Sequence, residues 1–169
     1  FFFVALRDRA EGGVERGGGA GPHDDGERVG HHQDVDAAEH VDTGRDHRRD
    51  EADQAEHAAL LKAIEQWRND WSSLNTDSYL THYAHDFASG NFKLDTWSAQ
   101  KRLVNSGKSW VKVGLSDISI FPYPNQPGLV VVNFEQDYAS NNLENRMKKR
   151  QYWIKRDNRW QIIYEGAAT

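Results

Sequence analysis

Cysteine is absent from all 169 residues, so the chain can form no disulfide, no four-cysteine zinc site and no thiol nucleophile. Lysine, tryptophan and tyrosine are absent from residues 1–57, which are rich instead in glycine, arginine, aspartate and histidine. Such a segment has too few large apolar side chains to offset the entropy lost on folding. Residues 1–52 are therefore predicted to be disordered, and residues 53–169 have the size of one domain.

The charge is divided in the same way as the composition. Residues 1–57 hold seven basic and 15 acidic side chains (net −8), and residues 58–169 hold 14 basic and 11 acidic ones (net +3), which gives the −5 of the whole chain. The chain starts with phenylalanine, and its apolar start is too short for a transmembrane helix and lacks the basic residues of a signal peptide. We expect a fragment of a longer protein or an incorrectly assigned start.

Histidines in the acidic segment raise the question of a metal site. They are His23, His31, His32, His40 and His47. Histidine-rich tracts can bind metals, but these spacings match no structural zinc pattern and no cysteine completes one. We predict a solvated tail, no metal site and no cofactor.

The first part of the predicted domain has helical periodicity. Leu60, Ile64, Trp67, Trp71 and Leu74 form one apolar stripe of a helix from about Asp53 to Leu74. Asn75 is a suitable N-cap for a second helix that continues to Phe87. A third helix begins with Asp95 as its cap and ends at Gly107.

From Ser109 onward the apolar period is two, which predicts four long strands. The phase changes near Ser116 and Asp117, which is typical of a β-bulge. Asp157 and Asn158 predict a tight hairpin turn before the last strand. Helices followed by antiparallel strands, with large aromatics on a common side, predict an α+β domain in which a curved sheet closes over helices around a pocket.

The ordered aromatic and polar pattern resembles the nuclear transport factor 2-like (NTF2-like, SnoaL-like) superfamily. The residues that carry the resemblance are Trp67, Trp71, Tyr79, Leu80, Tyr83, Phe87, Trp97, Phe134, Gln136, Tyr138, Ser140, Trp160, Ile162 and Glu165. Within the superfamily, residues 55–166 are similar to the C-terminal accessory domain of some bacterial L,D-transpeptidase and cell-shape-determining L,D-carboxypeptidase proteins. This resemblance implies a cone of three helices on a curved antiparallel sheet of four or more strands.

The same resemblance implies a location and a partner. In those proteins the domain accompanies a peptidoglycan-trimming catalytic domain in the periplasm or cell envelope. That catalytic domain needs a histidine and a nucleophilic cysteine, and this chain has no cysteine. The resemblance therefore implies the accessory domain alone, with a peptidoglycan fragment or small molecule as its ligand and an L,D-transpeptidase domain as its partner.

Six residues are predicted to line a ligand pocket. They are Trp71, Tyr83, Gln136, Tyr138, Arg150 and Glu165. Gln136 is the most suggestive, because it is in phase with apolar Val132 and Phe134, and an unpaired buried amide costs about 1–3 kcal/mol. Two hydroxyls, an amide and a guanidinium suit an anionic or amide-rich ligand such as a wall peptide. The alternative for the tryptophan and tyrosines is a role in the core.

Three functions stay open at this stage. The first is a non-catalytic pocket domain, and the second is a small ketosteroid-isomerase-like enzyme that uses His82, His85 or Asp86 near the pocket mouth. The third is a homodimerisation module that uses Trp153 on the outer sheet face. Neither a membrane nor nucleic acid is expected as a partner. The basic residues of the later strands do not interleave with aromatics on one stacking platform.

Overall fold

The structure, a computed structural model, describes residues 43–168. Its elements in chain order are α1 (Thr43–Ser72), α2 (Thr76–Leu80), β1 (Ala88–Ser89), β2 (Phe92–Lys93), α3 (Leu94–Ser106), β3 (Val111–Pro122), β4 (Leu129–Ser140), β5 (Glu144–Arg156) and β6 (Arg159–Ala167). Helix α1 begins at Thr43 instead of the predicted Asp53, so residues 43–52 of the segment predicted to be disordered are helical. Residues 1–42 lie outside the described part of the chain, and their disorder stays a prediction.

The four long strands form one antiparallel sheet in the order β3-β4-β5-β6, and the helices pack against one of its faces. This confirms the predicted α+β class. The buried side chains of that face meet the apolar stripe of α1, with Trp67 completely buried and in ring contact with Trp71, Tyr79 and Phe134. Burial of these rings is the main source of stability, since each fully buried large apolar side chain contributes about 1.5–3 kcal/mol.

Two irregularities bend the sheet. The predicted bulge in β3 is confirmed, because the register with β4 shifts between Ser116 and Ser119 and Asp117 has a left-handed φ of 52°. A second shift lies between β5 and β6, where Ile163 stands between the paired residues Ile162 and Tyr164. The extra residue changes the phase of β6, so that both Ile162 and Glu165 are buried on the helix-covered face.

The second helix is shorter than predicted. Asn75 caps it by accepting a hydrogen bond from the Ser78 backbone N–H at 3.4 Å, but the helix ends at Leu80. The following chain pairs with β6 instead, through hydrogen bonds from Ala84 N to Ile162 O (2.8 Å) and from Ile162 N to His82 O (2.7 Å). Tyr83 is therefore fixed beside the sheet by backbone pairing, not by helical spacing.

The predicted faces of β5 are wrong. Lys149, Gln151 and Trp153 are 4%, 0% and 0% exposed on the helix-covered face, while Arg150 lies on the opposite face and donates from Nε to Asn133 Oδ1 at 2.9 Å. Arg150 therefore does not line an interior pocket. Trp153 is part of the core and cannot anchor a dimer through the outer face.

The turns follow their sequence signals. Asp157 and Asn158 have φ of 51° and 58° between the paired residues Arg156 and Arg159, which confirms the two-residue hairpin. A small hairpin of β1 and β2, with Gly90 at φ 58°, was not predicted. No helix within residues 43–168 is long and apolar enough to span a membrane.

Candidate functional site

A buried carboxylate lies at the centre of the helix-covered face. Glu165 is 2% exposed, and among the described residues three side chains donate to it. Tyr83 Oη donates to Oε1 at 3.1 Å, Gln151 Nε2 donates to the same oxygen, and Lys149 Nζ lies 3.5 Å from Oε2. Gln151 reaches it because the β5–β6 register places the two residues directly opposite each other. Both oxygens of the Glu165 carboxylate therefore have partners within the protein.

Aromatic groups form the wall around this pair of charges. Trp67 Nε1 donates to Tyr83 Oη at 3.1 Å, and Tyr79 Oη lies 2.9 Å from the same oxygen. Burial raises the pKa of Tyr79 and Tyr83, and the charge of Glu165 raises both further, so the phenols stay protonated. The Tyr83 hydroxyl uses its one hydrogen in the hydrogen bond to Glu165. In the contact between the two hydroxyls, Tyr79 is therefore the donor and Tyr83 the acceptor.

One buried lysine, Lys149, and one half-buried lysine, Lys101, accompany this carboxylate. Lys149 Nζ lies 5.1 Å from the Trp71 ring, and Lys101 of α3 places its Nζ 4.5 Å from the Trp97 ring. Burial, and then repulsion by Lys149, lower the pKa of Lys101 to about 8, against the opposing attraction of Glu165. Two ammonium groups and one carboxylate are therefore found on the helix-covered side of the sheet.

Gln136 is fully buried in the same layer of the sheet. It is 0% exposed, and neither Oε1 nor Nε2 has a hydrogen-bond partner among residues 43–168. The register pairs it with Met147 and pairs Phe134 with Lys149, so Gln136 and Lys149 are diagonal neighbours on one face. An amide left unpaired in such a place costs about 1–3 kcal/mol, which an incoming ligand that pairs with it would recover.

Five of the six predicted pocket residues are buried on this face. They are Trp71, Tyr83, Gln136, Tyr138 and Glu165, and the sixth, Arg150, is on the other face. Sequence reasoning did not include Lys101, Lys149 and Gln151 in the site. Lys149 and Gln151 alternate in phase with Trp153, but the opposite set of β5 contains Tyr152, so the phase alone does not indicate which set is buried. Whether these residues bind a ligand stays a prediction.

The titratable groups considered for an enzyme lie elsewhere. Asp86 is exposed and forms two hydrogen bonds of 2.7 Å with Arg156, whose side chain lowers the pKa of that carboxyl. His82 contacts Asp70 through Nε2 and Oδ2 at 2.7 Å and so joins the loop after α2 to α1. His85 is exposed. No group of three or more metal-ligating side chains occurs within the described part of the chain.

Two grooves on the surface are separate from this cluster. One of about 410 Å³ lies between α1 and β3 and includes Leu61, Arg68 and Ile118 in its lining. The other, of about 620 Å³, is lined mainly by the polar side of β3, β4 and β5 and includes Arg146 and Tyr138. Neither of these two grooves is lined by Lys149, Gln136 or Glu165, which are each at most 4% exposed.

We expect Lys101→Met to abolish a rise in stability at alkaline pH. The ordinary lysine pKa of 10.5 falls to about 8 in the folded state, so between these values the unfolded chain binds more protons and the wild type becomes more stable as pH rises. Below pH 8 both states are protonated and the full penalty of the buried charge applies. The variant should lack the rise and be at least as stable as wild type at pH 7.

The measurement is the urea concentration at the midpoint of unfolding, determined at several pH values between 7 and 10. Lys112→Met is the matched control, because Lys112 is exposed on β3 and its replacement should leave the rise intact. If Lys101→Met retains the rise seen in the wild type, the rise does not come from the lowered pKa of Lys101.

The family model for the Cds6 C-terminal NTF2-like domain matches residues 59–166. Bd1075 of Bdellovibrio bacteriovorus is 25% identical with a TM-score of 0.59, over 76% of this chain and 42% of that one. A mutant of the helical cell shape determining protein Pgp2 of Campylobacter jejuni is 27% identical with a TM-score of 0.59, over 64% and 39%. An NTF2-like protein of Pseudomonas putida, 12% identical with a TM-score of 0.58 over 67% and 85%, shares the fold. A sequence comparison with curated proteins gives no match.

Proposed function

The chain belongs to the Cds6 C-terminal NTF2-like domain family, and on this premise we propose that it is a non-catalytic domain that binds an anionic cell-wall fragment. The observation that carries the proposal is the fully buried side chain of Gln136, whose amide oxygen and nitrogen have no hydrogen-bond partner among residues 43–168. Lys149 lies on the same face of the sheet, and an anionic ligand would accept hydrogen bonds from the Gln136 amide and from the ammonium groups of Lys149 and Lys101. Directed charge-assisted hydrogen bonds of this kind contribute about 1.5–3 kcal/mol each.

The state of Glu165 supports binding over catalysis. A general base must offer a lone pair to a proton on the substrate, within hydrogen-bond reach. Glu165 Oε1 already accepts from Tyr83 and Gln151, and Oε2 faces Lys149. The carboxylate therefore binds groups of the protein itself, and its role in this proposal is to hold Lys149 and Tyr83 in place.

The similar structures support an accessory role. The chain spans only 42% and 39% of the lengths of Bd1075 and the Pgp2 mutant. Pgp2 is described as a helical cell shape determining protein. We propose that this domain binds peptidoglycan and positions a catalytic domain of the L,D-transpeptidase class.

The test is co-sedimentation of the full chain with purified peptidoglycan sacculi. We expect binding by the wild type and a loss of about tenfold in affinity for Lys101→Met, because one charge-assisted contact of about 1.5 kcal/mol is removed. Lys112→Met is again the matched control and should bind as the wild type does. Salt should weaken binding in both.

Two results would contradict the proposal. Equal binding by wild type and Lys101→Met would show that sacculi are held elsewhere on the surface. A change in the chromatographic pattern of soluble muropeptides after incubation with the chain would favour the small-enzyme alternative.

A further inference from the structure

We infer that two copies of this chain associate face to face through the outer surface of the sheet, the surface opposite the helices. This inference goes beyond the proposed function and does not depend on it, because the proposed site lies on the helix-covered side. The contact is carried by an outer aromatic patch, which consists of Phe121, Tyr123, Val131, Tyr152, Ile154 and Tyr164.

Strand register places the centre of this patch in one row across the whole sheet. Phe121 is paired with Val131 between β3 and β4, and Tyr152 is paired with Tyr164 between β5 and β6. Val131 and Tyr152 are paired in turn, so the row has one residue from each of the four strands. The Tyr152 ring centroid lies 4.9 Å from that of Tyr164 and 6.0 Å from that of Tyr123. The patch is therefore one continuous surface.

The outer aromatic patch is open to solvent in the described part of the chain. Phe121 is 54% exposed and Tyr123 is 37% exposed, while the other members are half-buried. The helices of residues 43–168 pack on the other face, where they cover Trp153 but not its neighbour Tyr152. Contiguous apolar surface of this kind marks contacts with other molecules, and tyrosine is enriched in protein interfaces.

The outer surface is large enough for a stable dimer. The four strands contain 12, 12, 13 and 9 residues, and alternate residues of a strand point to opposite faces. About 23 residues therefore lie on the outer face, which is within the roughly 20–30 residues per partner of a standard interface. In a two-fold dimer the same patch serves both copies, so each supplies the apolar surface that covers the other.

Charge on this surface favours a second copy over a strongly charged partner. Between the patch and the β4–β5 turn, the outer positions hold four basic and three acidic side chains, which are Lys112, Arg146, Lys148 and Arg150, and Glu135, Asp137 and Glu144. Arg146 contacts Glu135 at 2.6 Å and Asp137 at 3.2 Å. Two such nearly neutral faces can approach each other without net repulsion, whereas an anionic polymer would require an excess of basic groups.

The experiment measures the mass of the full chain by size-exclusion chromatography with multi-angle light scattering, at about 100 µM and neutral pH. We expect about 39 kDa for the wild type, twice the 19.3 kDa of one chain. Phe121→Asp places a charge within the contact and should weaken dimerisation at least tenfold. Leu103→Asp is the matched control and should remain a dimer, because Leu103 is 76% exposed on α3, on the other side of the sheet.

Urea unfolding gives a second measurement that also checks the fold of each variant. The urea midpoint of a dimer rises with protein concentration, since association stabilises the folded state. Wild type and Leu103→Asp should show this rise. Phe121→Asp and Tyr123→Asp should lose it while they keep the native fluorescence of the buried tryptophans. Tyr123 follows the last residue of β3, so its substitution interrupts no strand.

Two kinds of result would overturn the inference. A wild type that is a monomer at the highest concentration would leave this face to a different protein. A dimer that both Phe121→Asp and Tyr123→Asp leave intact, or that Leu103→Asp disrupts, would be held together through another surface.

Discussion

Glu165→Ala is expected to lower the free energy of unfolding by about 3–5 kcal/mol, which is the usual cost of removing one partner from a buried ion pair. The substitution leaves Lys149, 4% exposed, without its carboxylate and leaves Tyr83 and Gln151 with unpaired polar atoms. Urea unfolding followed by tryptophan fluorescence measures the loss.

Two variants control this result. Glu144→Ala, at an exposed position of β5, should change stability by no more than about 0.5 kcal/mol. Glu165→Gln keeps the shape and one acceptor but removes the charge, so its loss should lie between the other two. A loss below about 1 kcal/mol for Glu165→Ala would mean that water reaches Lys149 easily, and the site would be more open than the structure shows.

Trp67→Ala is also expected to lower the free energy of unfolding by about 3–5 kcal/mol. The indole is fully buried, and its removal leaves a cavity that the neighbouring side chains cannot fill. The ring contacts Trp71, Tyr79 and Phe134, and its N–H supports Tyr83. The substitution therefore removes core packing and disturbs the site at once.

A second substitution at the same position separates the loss of packing from the loss of the hydrogen bond. Trp67→Phe keeps most of the apolar volume but loses the hydrogen bond to Tyr83, so a loss of about 1–2 kcal/mol is expected. Trp110→Ala is the matched control, because this indole is 48% exposed. If Trp67→Ala unfolds no more easily than Trp110→Ala, the helix stripe is not the core that the structure indicates.

Periodicity predicted the fold wherever apolar residues occupy only one face. In β4 the alternation of Val132, Phe134 and Tyr138 with polar neighbours correctly indicated the buried side, and Gln136 was placed with them. The stripe of α1 was equally clear from Leu60 onward. Before Leu60 the helix is exposed along residues 44–59, so no burial pattern could indicate that it starts at Thr43.

The faces of β5 could not be predicted in the same way. Both alternating sets contain charged and aromatic residues, Lys149 with Trp153 in one and Arg150 with Tyr152 in the other. The buried set is identified only by its partners, since Glu165 on β6 neutralises Lys149. That match depends on the extra residue at Ile163, which local hydrophobicity does not indicate.

Helical spacing also misled the assignment after Leu80. Tyr79, Tyr83 and Phe87 lie at steps of four, as on a helix, and all three are buried. Backbone pairing of His82 and Ala84 with Ile162 replaces the helical hydrogen bonds. The competition between these two arrangements depends on a strand some 80 positions later in the chain, which a local pattern cannot report.

The same backbone pairing has a consequence for how copies of this protein behave in solution. An edge strand with free N–H and C=O groups is a template for addition of a strand from another molecule. On β6 the loop at His82 and Ala84 occupies Ile162, and on β3 Ser72 Oγ and Arg68 Nη1 occupy the N–H and C=O of Val113. Both margins of the sheet are thus blocked at these points against the addition of a strand from another copy.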